Sequence, residues 1–127
     1  KYFQHIFTDT TEIKKFCDES NINICYDTSH AKLASNKLGA NFKNFTTQIL
    51  KNIEYLHISD AAKLYQEGLQ IGKGEIDFKM FFKLVKNLNV NFVPEIWNGH
   101  LDQGKGFKVA INEIEKIIKK ISVKKSC

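Results

Sequence analysis

The chain has 127 residues, of which 43% are hydrophobic and 26% charged, and this composition is typical of one soluble globular domain. The formal charge is +5 and every basic residue is a lysine, so the bidentate guanidinium contacts common in nucleic-acid recognition are excluded. Because no signal peptide is visible and no apolar stretch reaches ~18 residues, we expect a cytoplasmic protein without a membrane or a specific nucleic-acid partner.

The first predicted elements are a helix and a strand. Asp9, with Glu12 three residues later, is typical of a helix N-terminus. Residues 22–26 form an apolar run that predicts a strand, and Asp27 follows directly. Within that run we expect Cys25 to be buried as a small hydrophobic side chain.

Two similar units follow along the chain. Short helices are predicted over residues 31–38 and 42–50, ahead of a strand over residues 53–58 that carries His57 near its end. The next segment, residues 60–75, is predicted to be the longest irregular stretch.

The last unit begins at Asp77, which is a predicted N-cap. A helix with phenylalanines at helical spacing follows it, and then a strand over residues 90–96 that contains Glu95. A long amphipathic helix is predicted over residues 107–121, followed by a tail over residues 122–127.

Strands alternating with helices predict a parallel α/β sheet, in which successive strand ends meet at one edge. Asp27, His57 and Glu95 all fall at such strand ends, with about one strand-loop-helix unit between neighbours. Two carboxylates and an imidazole at one mouth suit a divalent cation with open coordination positions. The recurrence therefore predicts a metal site.

Further polar side chains lie close to these strand ends. His30 follows Asp27 and can face a substrate or a second metal; the alternative is a turn aspartate beside a surface histidine. Asp60 stands in the same position after His57. Beyond Glu95, two residues are expected to border the mouth, Trp97 as a wall for a sugar or as packing, and His100.

The glycines of residues 71–75 do not form a phosphate P-loop, because the spacing and the hydroxyl residue after the lysine are missing. We expect them to let the backbone turn tightly across the mouth. Binding of a substrate phosphate by their N–H groups stays open as an alternative.

Four segments, residues 26–30, 56–60, 71–78 and 93–96, together resemble the C-terminal part of the xylose isomerase-like TIM barrels. That superfamily includes sugar isomerases and epimerases and the endonuclease IV type of AP endonuclease. The resemblance implies that residues 1–127 are a partial (β/α)8 barrel of about three βα units, with the N-terminal half missing.

The resemblance also implies roles for individual residues. Asp27, His57 and Glu95 would bind Mn, Mg, Co or Zn, with a fourth ligand, a glutamate, expected upstream of Lys1 and missing from this chain. Glu95 and His30 would be catalytic. Substrate contacts would come from His30, Asp60, Trp97 and His100.

The implied function is a metal-dependent sugar or sugar-phosphate isomerase or epimerase that abstracts a proton next to a carbonyl. The fragment alone is expected to be inactive. The alternatives are an endonuclease IV-like AP endonuclease and a non-catalytic binding domain of the same fold. The nuclease branch carries an extra Asp and His where this chain has Gln66-Glu67-Gly68, which disfavours the nuclease.

A partial barrel cannot close, because closure needs eight strands with matched tilt and shear. We therefore expect self-association, pairing with the missing half, or cover by the chain's own residues 2–7. The apolar strand residues expected to need such cover are Ile22, Ile24, Tyr55, Leu56, Phe92 and Val93.

Overall fold

The structure, a computed structural model, describes residues 9–123. The expectations for residues 2–7 and for residues 124–127 lie outside this range. Within it, three parallel strands form one sheet in the spatial order β1-β2-β5, which confirms the predicted parallel arrangement. Their bounds are Ile24–Asp27 for β1, Ile53–Ile58 for β2 and Asn91–Pro94 for β5.

Five helices accompany the strands in the described part of the chain. The longest continues to Val123 and contains left-handed backbone at Asp102, Gln103 and Gly104, so residues 122 and 123 are helical rather than part of a tail. No helix among the described residues is long and apolar enough to cross a membrane. The bounds are Thr10–Ser20 for α1, Thr28–Lys37 for α2, Phe42–Ile49 for α3, Phe78–Val85 for α4 and Leu101–Val123 for α5.

A short antiparallel hairpin takes up residues 60–69 of the segment predicted to be irregular, residues 60–75, and the rest of that segment is irregular as predicted. It pairs β3, Asp60–Ala62, with β4, Gln66–Leu69. Neither strand contains the apolar run or the β-branched and aromatic residues that indicate a strand, which is why the sequence pattern did not predict them.

The core lies between the helices and one face of the parallel sheet. Leu56 and Ile58 are buried on this face, and Tyr26 stacks on Phe81 of α4 with the ring centroids 6.2 Å apart. The Tyr26 hydroxyl is 2.7 Å from the Thr46 hydroxyl of α3, so its polar end is hydrogen-bonded inside the core. The helices are thereby fixed against β1.

The opposite face of the sheet is open to solvent. Cys25, Tyr55 and Val93 are exposed on it, so the prediction that Cys25 is buried is wrong. Because successive side chains of a strand point to opposite faces, the two residues that flank Cys25, namely Ile24 and Tyr26, pack on the core instead. Leu56 is buried on that same face, whereas its register partner Phe92 on the outer strand β5 and Ile22 before β1 are exposed.

A buried carboxylate organises the turn after the hairpin. Asp60 is fully buried, and one of its oxygens accepts hydrogen bonds from the N–H groups of Gly72 and Gly74, at 3.0 and 2.8 Å. The other oxygen accepts from the N–H groups of Ala61 and Ile76, at 2.8 and 3.1 Å. The glycines are required here, since Gly72 has φ +81° and a Cβ on Gly74 would approach Asp60 to 2.4 Å.

We expect Asp60→Asn to lower the free energy of unfolding by about 3 kcal/mol, because an amide NH2 must replace one accepting oxygen and face buried N–H donors. Urea denaturation of both proteins measures this difference. Asp77→Asn is the matched control, since Asn also caps helices well and Asp77 only accepts from the Met80 N–H. Equal losses in the two variants would contradict the role given to Asp60.

Candidate metal centre

The ends of the three parallel strands bring Asp27, His57 and Glu95 together. Asp27 and His57 are register partners across β1 and β2, and Glu95 follows β5 on the other side of β2. Each offers one ligand atom, and these three atoms all lie within 4.8 Å of one another. The spacing in the sequence thus corresponds to a real cluster at one edge of the sheet.

The two carboxylate oxygens of Asp27 have different surroundings. Oδ1 accepts hydrogen bonds from the backbone N–H groups of Ser29 and His30, at 2.8 and 3.0 Å, and so caps α2. Oδ2 lies 3.4 Å from His30 Nδ1 at the mouth. Burial raises the pKa of Asp27, the Glu95 carboxylate raises it further, and the His30 N–H bond opposes both.

His57 and Glu95 contact each other directly. Nδ1 of His57 lies 2.7 Å from Oε2 of Glu95, and both side chains are partly exposed. The partner of the strand-end glutamate is therefore a histidine and not a lysine. Backbone bonding fixes the position of Glu95, because its N–H donates to the carbonyl of Ile58 at 3.0 Å.

His30 stands between two carboxylates. Its Nδ1 lies 3.4 Å from Asp27, and its Nε2 lies 3.3 Å from Oε2 of Glu67 on the hairpin. The imidazole is exposed, with 61% of its side-chain surface open to solvent. His30 therefore lies at the mouth, where Asp27 and Glu67 limit its orientation, and its contact with a substrate stays a prediction.

The mouth itself is a small cleft of about 20 Å³, which is room for about one water or ion. Trp97 forms part of its wall and is 64% exposed. Its indole lies against Gly68, where an added Cβ would come within 2.0 Å of the ring. The lining residues are Asp27, Ser29, His30, Ser59, Glu67, Gly68, Glu95 and Trp97.

Two residues predicted to contact substrate lie elsewhere. Asp60 is buried, with both oxygens engaged by backbone N–H groups, so it offers no free oxygen to a ligand. His100 is exposed on the loop before α5 and does not line the cleft. We retain neither in the proposed substrate site.

Sequence reasoning passed over Glu67, Ser29 and Ser59, which line the cleft. In the sequence, Glu67 stands out only as the neighbour of Gln66 and Gly68, the two positions where the nuclease branch has its extra ligands. The available signal is its place seven residues after Asp60, and this becomes readable only once the hairpin is known.

The donor set fits a divalent cation. Carboxylate oxygens and an imidazole nitrogen are ordinary ligands for Mn²⁺, Zn²⁺, Co²⁺ and Mg²⁺, although Mg²⁺ favours oxygen. Oδ2 of Asp27 makes no backbone hydrogen bond in the described structure, since the capping bonds use Oδ1. Three donors would leave coordination positions open for further ligands.

We expect Asp27→Asn to stabilise the metal-free protein near neutral pH, since Asn keeps the cap and removes a buried charge beside Glu95. The folded-state pKa of Asp27 is raised, so folding binds a proton and stability falls as pH rises through this pKa. The advantage of Asp27→Asn should therefore be full above the raised pKa and vanish below the ordinary carboxyl range. Thermal melts across pH with a chelator present measure it.

A contrary result would be a melting temperature of Asp27→Asn below that of the parent at neutral pH. The matched control is Asp9→Asn, because Asp9 caps α1 but its pKa is lowered, chiefly by its hydrogen bonds to Thr11. Its charge is favourable where it stands, so Asp9→Asn should not stabilise.

Comparison with known families matches residues 1–120 to the xylose isomerase-like TIM barrel family. A search of curated proteins finds no match. The matched range covers nearly the whole chain and includes all three strand ends that carry Asp27, His57 and Glu95. The parallel sheet and its surrounding helices are the corresponding part of the barrel. The chain belongs to the xylose isomerase-like TIM barrel family.

Proposed function

We propose that this chain is the metal-binding part of a sugar isomerase or epimerase that moves a proton next to a carbonyl. The observation that carries the proposal is the cluster of Asp27, His57 and Glu95, whose ligand atoms lie within 4.8 Å of one another. The cluster lies at the C-terminal ends of parallel strands, where barrel enzymes place their active sites. Membership of the family supports the same reaction class.

In this proposal Oδ2 of Asp27, His57 and Glu95 hold the metal, together with the further glutamate that the family resemblance implies. Bound there, the metal polarises the carbonyl and hydroxyl oxygens of the substrate. Glu95 is the more exposed of the two carboxylates and can also accept or return a proton. Its contact with His57 sets the direction of its carboxylate.

Two other side chains position the substrate. His30 presents an exposed imidazole between Asp27 and Glu67, and it can exchange its contact with Glu67 for a hydrogen bond to a sugar hydroxyl. The exposed face of Trp97 can pack against the apolar face of a sugar ring, and its backing by Gly68 keeps the indole in place. Neither role requires a change in the backbone described.

The nuclease alternative is less well supported. The position expected to supply a histidine ligand is Gly68, which has φ +63° and lies against Trp97 with no space for a side chain. The cleft is lined by three carboxylates, which would repel a phosphodiester. A non-catalytic binding domain remains the alternative if metal and sugar bind without turnover.

We expect the chain to bind Mn²⁺. His57→Ala should weaken that binding by roughly 10-fold or more, because losing only a residue that hydrogen-bonds to a metal ligand already costs about 10-fold to 100-fold. Glu95→Gln should weaken it similarly, because an amide is a poorer ligand than a carboxylate. Electron paramagnetic resonance of free Mn²⁺ in a titration gives both affinities.

The controls remove the same side-chain types outside the cleft. His100→Ala and Glu113→Gln should leave the affinity for Mn²⁺ unchanged, since neither residue lines the cleft. Equal losses in His100→Ala and His57→Ala would refute the proposed centre. Selective binding of abasic duplex DNA at physiological salt would instead favour the nuclease, because lysine-only electrostatics should collapse there.

We also propose that the open face of the sheet is an interface. Cys25, Tyr55 and Val93 expose their side chains on this face, and contiguous exposed apolar surface of this kind marks contacts. In this proposal the partner is a second copy of the chain or the N-terminal half-barrel that the family resemblance implies.

We expect sedimentation velocity to show concentration-dependent association of the chain, and Val93→Lys to weaken it by placing a charge on this face. Leu64→Lys is the control, because Leu64 is 61% exposed between β3 and β4 rather than on the sheet. A parent chain that is monomeric at every concentration, and that does not bind the upstream half-barrel, would contradict the proposed interface.

A further inference from the structure

We infer that Glu67 makes the mouth selective for a neutral, hydroxyl-bearing sugar over a phosphorylated one. The inference rests on the proposed function and concerns the same cleft. Its basis is the position of a third carboxylate beside the cluster of Asp27, His57 and Glu95, together with the engagement by Asp60 of the backbone donors of the glycine turn, residues 71–75.

The charge around the cleft is opposite to that of the whole chain. The chain carries a formal charge of +5, yet the cleft is lined by the carboxylates of Asp27, Glu67 and Glu95. Within residues 9–123, no lysine lines it. One divalent cation does not cancel the three negative charges of these carboxylates, so an anionic group gains no net attraction from them.

The hairpin holds Glu67 at the rim through bonds made by the next residue. The N–H of Gly68 donates to the buried Ser29 hydroxyl at 3.1 Å, and the carbonyl of Gly68 accepts from the Trp97 N–H at 2.9 Å. Glu67 is therefore tied to α2 on one side and to the segment after β5 on the other. Its side chain is 31% exposed and meets His30 at 3.3 Å.

The glycine turn is not free to bind phosphate. The N–H groups of Gly72 and Gly74 both donate to Asp60, and so does that of Ile76. The buried carboxylate of Asp60 thus already accepts hydrogen bonds from the N–H groups that could otherwise bind a substrate phosphate. Lys32, a nearby cation on α2, is paired with Glu75 at 3.5 Å.

A carboxylate at the rim has a definite preference among ligands. It accepts hydrogen bonds from sugar hydroxyls, and charge-assisted bonds of this kind are stronger than neutral ones. It repels a phosphate, by roughly fivefold in affinity for one charge pair about 4 Å apart in water. Glu67 with His30 therefore forms a hydroxyl-binding pair that faces the proposed metal ligands.

The test compares D-fructose with fructose 6-phosphate on the Mg²⁺-loaded chain, by ligand-observed NMR titration at fixed free Mg²⁺. The parent should prefer the neutral sugar by roughly fivefold or more. Glu67→Gln should reduce that ratio by roughly fivefold, and Glu67→Lys should invert it. Glu115→Lys, which makes the same charge change on an exposed face of α5, should leave the ratio as in the parent.

Preference of the parent for the phosphorylated sugar would overturn the inference, and so would equal ratios in Glu67→Lys and Glu115→Lys. Mn²⁺ titration of each variant separates this failure from failure of the proposed function. If neither sugar binds while Mn²⁺ still binds, the role of Glu67 is refuted and the metal centre stands. If Mn²⁺ binding is also missing in the parent, the proposed function itself fails.

Discussion

The hydrogen bonds accepted by the buried carboxylate of Asp60 hold the segments around the mouth in a fixed relation. Four backbone N–H groups converge on it from its neighbour Ala61 and from the turn at residues 72–76. A buried charge is tolerated only when it is well hydrogen-bonded, so the turn and the carboxylate require each other. These hydrogen bonds hold the turn that follows the β3–β4 hairpin against Asp60 at the start of β3. The parallel sheet beside the hairpin has three strands within residues 9–123.

The fixed hairpin then positions one wall of the cleft. Its Gly68 bonds to Ser29 at the start of α2 and to Trp97 beyond β5, so three segments distant in sequence meet at one residue. A further pair of hydrogen bonds joins the start of α2 to the residue after β2. The Thr28 hydroxyl donates to the carbonyl of Ser59 at 2.7 Å and accepts from the Ser59 N–H. The site is thus built on rigid elements, since most of the residues that line the cleft lie in β1, α2 and β4.

The sequence predicts the sheet and the meeting of Asp27, His57 and Glu95 because both follow from one regularity, a polar residue at the end of each apolar strand. The same logic fails at Asp60, since an aspartate three residues after a strand-end histidine looks alike whether it faces solvent or four backbone donors. It fails at Cys25 because a parallel sheet is normally covered on both faces, whereas the helices described here cover one face of this sheet and leave Cys25 exposed on the other. The position of Glu67 at the cleft could not be predicted, because it depends on a hairpin whose strands show no alternation of apolar and polar residues.

The aspartates of the two strand-end motifs separate into a scaffold residue and a site residue by their hydrogen bonds. Asp60 has both oxygens engaged by backbone donors and is fully buried. Asp27 has one oxygen engaged in a cap, while its second oxygen lies 3.4 Å from His30 Nδ1 at the mouth and is the one that binds the cation in the proposed function. A group whose charge is disfavoured by its surroundings gains most from a divalent ion. Asp27, with one oxygen free of backbone donors, is therefore the carboxylate that the proposed function assigns to the metal, whereas Asp60, with both oxygens engaged, is structural.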